Sequence, residues 1–303
     1  MKYFLLIMLL CVFSCQHKIS NQHLPVKLPS KNGEAKNTPD KSVDSKSEVS
    51  TEAKSEATAQ NVAAIQKNTP NFGLIFSGGG AKAWAHVGVL KEMQKYKFPV
   101  VAVAGIEWGA VVGAIYAENL SANEVEWEMS KFKSLDKTNE FLKTVFAKKN
   151  VSDMKASFTC PSLNLKSQSV YLLNRGHVDQ FLPFCVPSAG LVKPYGQSVA
   201  LMSDVSILVQ QLKTAGAQKI ILINVLGIKK SKPYLKNIES AENQVWVESA
   251  VQLAKKNIGI DEVIEINFED LGIEDFDSRR EMMAKGTELS YTQIKKIADK
   301  FGL

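Results

Sequence analysis

Two short apolar runs each lead through a glycine-containing turn into a segment of helical periodicity, and this pairing restricts the chain more than any other feature. The first run is Phe72–Phe76 (FGLIF), followed by Ser77-Gly78-Gly79-Gly80-Ala81-Lys82. The second is Val100–Gly105 (VVAVAG), followed by Ile106-Glu107-Trp108-Gly109. Runs this short and apolar, bounded by turn residues, read as buried strands. Behind the first, Ala83–Lys97 places Val87, Leu90 and Met93 on one helical face, and a helix is expected from about Ala110. Strand, turn and helix in repetition are the βα unit of an α/β domain with a mainly parallel sheet. Further strands are expected at Ser169–Leu173, Val199–Met202, Lys219–Val225 and Glu262–Ile266. Helices are expected behind an N-cap at Ser121, over Ala241–Lys256 and over Ser278–Lys300.

The pattern starts near Asn71, and what precedes it differs in kind. MKYFLLIMLLCVFSC has one Lys and then an apolar run too short to span a bilayer as a mature helix, which reads as a signal peptide over residues 1–14. Its end, Val12-Phe13-Ser14-Cys15, resembles a bacterial lipobox, which implies lipidation of Cys15. Gln16 follows where an inner-membrane retention signal would have Asp, so the resemblance implies an outer-membrane lipoprotein of the cell envelope. Several acyl chains, at about 0.8 kcal/mol per buried methylene, would hold the chain on a membrane almost permanently. Residues 15–69 are rich in Lys, Ser, Glu, Ala and Thr, with little to bury, and read as a solvated tether. The folded domain is then 70–303.

Several function classes drop out. The 37 Lys and Arg against 31 Asp and Glu give +6, with no run dense enough to mark a nucleic-acid site. The four His and four Cys show no ligand spacing, so neither a metal nor a cofactor is expected. Cys160 and Cys185 remain in the domain, and their pairing is left open.

The glycine clusters carry the chemistry. At Gly78-Gly79-Gly80, residues without Cβ atoms let backbone N–H groups converge at a helix start and cradle an anion, although a tight turn alone would use the same residues. The cluster lacks the Gly-Lys-Ser/Thr ending of a phosphate loop. Gly105-Ile106-Glu107-Trp108-Gly109 has the strand-to-helix context of a G-x-S-x-G nucleophile elbow, with Glu where Ser belongs.

On these residues the chain resembles the patatin-like phospholipases, in particular their bacterial members. LIFSGGGAKAWAHVGVLKEM is similar to the family's strand, oxyanion loop and first helix, and VAVAGIEWGAVVGAIYAENL to its elbow block. LNRGHVDQFLPFCVPSAGLVKPYGQSVALMSDV, GAQKIILINVLG and INFEDLGIEDFDSRREMMAKG extend the similarity from Asn71 to Leu303. The resemblance implies a three-layer α/β/α domain and acyl-ester hydrolysis by a Ser-Asp dyad. Carried over, the oxyanion loop falls on Gly78, Gly79 and Gly80, with Lys82 where Arg is usual. The nucleophile position falls on Glu107 and the dyad Asp on Asp204. The chain departs from the family at Ala83, Trp84, Trp108, Val205 and Ser206, where glycines or small residues are usual.

Glu has neither a hydroxyl nor, at neutral pH, a proton to lose, so dyad chemistry is not available. Trp84 and Trp108 are expected to crowd the acyl cleft, although an aromatic packed into the core would need no such role. The expectation is a membrane-anchored pseudo-phospholipase that binds a phospholipid, an acyl ligand or a protein partner without cutting it. The alternative is a hydrolase with altered chemistry, in which Glu107 or an unrecognised residue attacks. His86 reads as a satisfied helix residue, His177 has no visible partner, and neither Ser77 nor Ser188 lies on an elbow.

Overall fold

The computed structural model describes residues 69–186, 195–200, 204–226, 241–255, 258–267 and 270–303. The expected signal peptide, Cys15, the tether and Ser188 lie outside the described residues, as does the end of the expected Val199–Met202 strand.

Among the described residues seven strands form one sheet in the order β4-β3-β2-β1-β6-β7, with β5 paired to β3. They are β1 (Phe72–Phe76), β2 (Val100–Gly105), β3 (Ser157–Asn164), β4 (Ser169–Leu173), β5 (Ser198–Val199), β6 (Lys219–Asn224) and β7 (Glu262–Glu265). β1 pairs in parallel with β2 and β6, β2 with β3, and β6 with β7. Only β4 and β5 run antiparallel to β3. The sheet is therefore mainly parallel.

Alternation along the strands divides the core in two. Leu74, Phe76, Val103, Ile221 and Ile223 face one apolar cluster. Ile75, Ala102, Ala104, Ile220 and Leu222 face the other. The first cluster is closed by α1 (Ala85–Lys95), α2 (Trp108–Asn119), α3 (Ala122–Ser130), α4 (Thr138–Phe146), α5 (Val178–Phe181) and α8 (Arg279–Phe301). The second is closed by α6 (Ser206–Thr214) and α7 (Ala241–Ala254), through Leu208, Leu212, Trp246 and Ala250. A sheet apolar on both faces has to be covered on both, which makes the domain three-layered.

The differences from the sequence reading have local causes. The expected helix Ala83–Lys97 opens as a 3-10 turn, Gly80–Trp84, and becomes α-helical at Ala85. β3 was not expected, because SFTCPSLN does not alternate and contains Pro161. Pairing with β2 and β4 overrides that weak local preference. Ser121 caps α3 as expected, its hydroxyl accepting from Glu124 N at 3.3 Å. Cys160 on β3 and Cys185 are joined by a buried disulfide, which answers the pairing left open above.

Candidate functional site

The register of β1 on β2 builds the site. Phe76 lies opposite Gly105, so the two glycine-rich turns leave the sheet side by side at its carboxyl edge. Ile106 N donates to Phe76 O at 2.9 Å and ties the second turn to the end of the first strand. At this edge Glu107 adopts φ 54° and ψ −129°. Positive φ is costly for a side chain with a Cβ, and such strain of order 1–3 kcal/mol persists only where the surroundings enforce it. The flanking glycines let it form. A Cβ on Gly105 would stand 2.4 Å from Ala110 Cα, and one on Gly109 2.4 Å from Ser77 O. The strained turn expected of a nucleophile elbow is therefore present, with Glu107 at its central position.

Where that residue points is the main observation. Gly79 N and Gly80 N both donate to Glu107 Oε2, at 3.1 and 2.9 Å. These are two of the three glycines assigned to the oxyanion loop. Gly78 abuts the same side chain, with its Cβ position 3.1 Å from Glu107 Cβ. The carboxylate thus occupies the donors that would otherwise receive a developing oxyanion. Glu107 is fully buried, and Oε1 has no hydrogen-bond partner. Burial pushes its pKa up to about 7, against hydrogen bonds from the Trp108, Gly79 and Gly80 backbones that favour the anion.

The other assigned residues fall differently. Asp204 is exposed at the start of α6, where its Oδ1 accepts from Ser206 N at 2.9 Å. Among the described residues no bond links it to Glu107, so this structure does not assemble a dyad from the two. Lys82 is fully buried; desolvation lowers it to about 8, opposed by the fields of Asp270 and Asp275. His86 is buried in α1, with Nε2 donating to Ser77 O at 2.9 Å and its ring edge-on to Phe76. That contact braces the first glycine turn, but Nδ1 has no hydrogen-bond partner among the described residues, so the ring is not the fully satisfied helix residue expected.

Trp84 and Trp108 are each 1% exposed, with ring centroids 5.2 Å apart. Both also touch Phe132 and Phe276, and Trp108 reaches Phe141. With these phenylalanines they form a five-residue aromatic cluster next to the elbow, each pair contributing about 0.5–1.5 kcal/mol beyond area burial, and Trp84 is also part of the wall of a cavity. Sequence reasoning found the two tryptophans but not their phenylalanine partners, which come from the α3–α4 connection, α4 and the turn before α8. A cavity of about 1020 Å³ opens beyond Trp84, lined among others by Lys91, Met129, Arg279, Met283 and Thr287. Glu107 is not among the residues lining it.

The two buried groups flanking Ser77 and Gly79 give opposite acid responses. Glu107 keeps its proton up to about 7 when folded and to 4.5 when unfolded, so its contribution to stability is full below 4.5 and is lost as pH rises through 7. His86 is lowered from 6.5 to about 4, so its contribution is present above 6.5 and lost as pH falls through 4. Over the shared window the two oppose each other. Glu107→Gln removes the first and keeps the second, and the variant should lose roughly 3 kcal/mol between pH 6.5 and pH 4. Urea midpoints across that range measure it; a variant profile parallel to that of the unaltered protein would mean that Glu107 does not titrate abnormally.

The family profile described as patatin-like phospholipase matches residues 74–283. The lysophospholipase nte1 of Emericella nidulans is 27% identical over 186 residues, which is 53% of this chain and 12% of that protein. The lysophospholipase NTE1 of Debaryomyces hansenii is 24% identical over 188 residues, 54% of this chain and 12% of its own length. The chain therefore spans about an eighth of these relatives. Among solved structures, VipD from Legionella pneumophila aligns over 77% of this chain and 67% of its own, with TM-score 0.47 and 12% identity.

Proposed function

Because this chain belongs to the patatin-like phospholipase family, we propose that it is a catalytically silent member, a domain that binds a lipid, an acyl ligand or a protein partner without hydrolysing it. The observation that carries the reading is Glu107: the residue in the nucleophile position has no hydroxyl, and its carboxylate accepts the two N–H groups needed for an acyl oxyanion. Loss of the nucleophile alone costs about six orders of magnitude in turnover in serine hydrolases, the remainder resting on the oxyanion hole. Here that remainder is blocked as well.

The lipobox-like VFSC sequence supports attachment to the bacterial outer membrane through Cys15. The buried Cys160–Cys185 disulfide supports an oxidising compartment such as the periplasm. Among the described residues no helix is long and apolar enough to cross a membrane.

The alternative, hydrolysis with altered chemistry, draws on the relatives named lysophospholipases and on the unpartnered Oε1 of Glu107. A carboxylate can attack an ester's acyl carbon to give a mixed anhydride, the ester C–O bond breaking and the alcohol leaving with a proton from water, after which water hydrolyses the anhydride to the fatty acid and the free carboxylate. In this site the attacking carboxylate and the oxyanion it creates would compete for the same two donors. The full chain should therefore give no turnover with short-chain esters, lysophospholipids or phospholipids. Turnover abolished by Glu107→Ala, or an acyl adduct on Glu107 in intact-mass spectra, would overturn the silent reading in favour of the alternative.

A further inference from the structure

The cavity beyond Trp84 has a lining of two kinds. It measures about 1020 Å³, the upper end of the roughly 300–1,000 Å³ over which small-molecule sites range. Residues of α1, α3 and α8 form its wall, together with the turns that precede α1 and α8. The apolar lining is the deeper part. Trp84 and Met129 are at most 1% exposed, and Met283 on α8 is half-buried. Trp84 has two neighbours: its ring packs on Trp108 at 5.2 Å and is also part of the cavity wall.

The charged lining is more exposed and its signs balance. Lys91, Arg279 and Arg280 stand against Glu126, Asp277 and Glu281, which leaves no net charge. Lys91 is paired with Glu126 at 2.7 Å, bridging α1 and α3, and Glu281 lies 3.7 Å from Lys285. Arg279 is held in place, donating to Phe132 O at 2.6 Å with its guanidinium 5.6 Å from the Phe132 ring centre. That bond uses one of the five N–H donors of the guanidinium. Arg280 and Asp277 are exposed and have no ion pair among the described residues.

A balanced rim repels a lone anion about as much as it attracts it, and the same holds for a lone cation. A head that carries both signs can set its anion on the arginines and its cation on Asp277, each against an opposite charge. An apolar chain on the same molecule would cover the indole and two thioethers, side chains that adapt to irregular shapes.

We infer that this cavity binds a single-chain amphiphile with a zwitterionic head of phosphate and ammonium, its chain against Trp84, Met129 and Met283 and its head among Arg279, Arg280 and Asp277. Such a site gives the ligand of the proposed binding domain a class and a place; it rests on that reading in taking the domain as a binder, not in taking it as inactive. Glu107 does not line the cavity, so the site is distinct from the elbow.

Dodecylphosphocholine below its micelle concentration is the probe, because it has this head and one chain but no carboxylic ester to cut. Titration calorimetry on the full chain should give a single site that holds it about tenfold more tightly than laurate or dodecyltrimethylammonium, which keep the chain and one charge each. Glycerophosphocholine, the head without the chain, should bind far more weakly. Asp277→Asn and Arg280→Gln should each weaken the zwitterion about tenfold, while Asp277→Asn leaves laurate binding unchanged or stronger. Ala284→Trp, at an exposed position of α8 in the cavity wall, should abolish binding with an unchanged urea midpoint. Equal affinity for the three heads, tighter binding of either singly charged chain, equal binding of glycerophosphocholine, or titrations that none of the three substitutions alters would overturn the inference. Ester turnover by the same protein with the binding pattern intact would remove the silent reading and leave the cavity site standing.

Discussion

Glu107→Ser should not convert this protein into an esterase, even though it restores the G-x-S-x-G pattern at an elbow whose backbone already has the required form. A serine at φ 54° would stand at the carboxyl edge of the sheet and free Gly79 N and Gly80 N to donate to an oxyanion. Two obstacles remain. The dyad partner assigned from sequence, Asp204, is exposed and held by Ser206 N, with no bond to the elbow among the described residues. The space beside the elbow is filled by Trp84, Trp108, Phe132, Phe141 and Phe276. Hydrolysis of short and long acyl esters by the variant should stay at the background of the unaltered protein. That is a shortfall of about six orders of magnitude from an intact serine hydrolase. Hydrolysis by Glu107→Ser that disappears in Glu107→Ser/Asp204→Ala would show instead that a dyad can still assemble and that only the nucleophile was lost. Activity appearing only when Trp84 and Trp108 are also reduced in size would locate the remaining obstacle in the aromatic cluster.

Removing the disulfide should have the largest effect on stability. Cys160 and Cys185 close a loop of 25 residues by sequence separation, for which chain entropy gives about 3 kcal/mol of stabilisation. Cys160 sits in β3, the strand that joins the parallel part of the sheet to its antiparallel edge. The double variant Cys160→Ala/Cys185→Ala should lower the urea midpoint by a corresponding amount. For a domain of this size that is a fall in Tm of roughly 6–12 °C. Both sulfurs are fully buried, so reductant should act on the native protein only slowly. Identical unfolding curves for the double variant and the unaltered protein would rule out a structural role for the bond.

The parts of the fold legible in the sequence are those that local pattern determines. FGLIF and VVAVAG form β1 and β2 over the expected residues, because a wholly apolar run bounded by glycine has few other places in a small domain. Ser121 caps its helix because a hydroxyl before a helical face satisfies an otherwise unpaired N–H. β3 was not legible: its eight residues include Ser, Thr and Pro, and its pairing partners supply the preference the segment lacks.

At the site, the sequence by itself determined what is missing. A glutamate has no hydroxyl in any conformation, so the loss of the nucleophile needed no coordinates, and the flanking glycines already marked an elbow. The tertiary structure decided what the glutamate does. Gly79 and Gly80 lie 28 and 27 residues before Glu107, and Trp84 lies 24 before Trp108; both pairs meet because β1 and β2 run in parallel with Phe76 opposite Gly105. A pairing register is a property of two strands together and is not written in either one. From that register follow the carboxylate seated on the oxyanion donors and the aromatic cluster filling the space beside them.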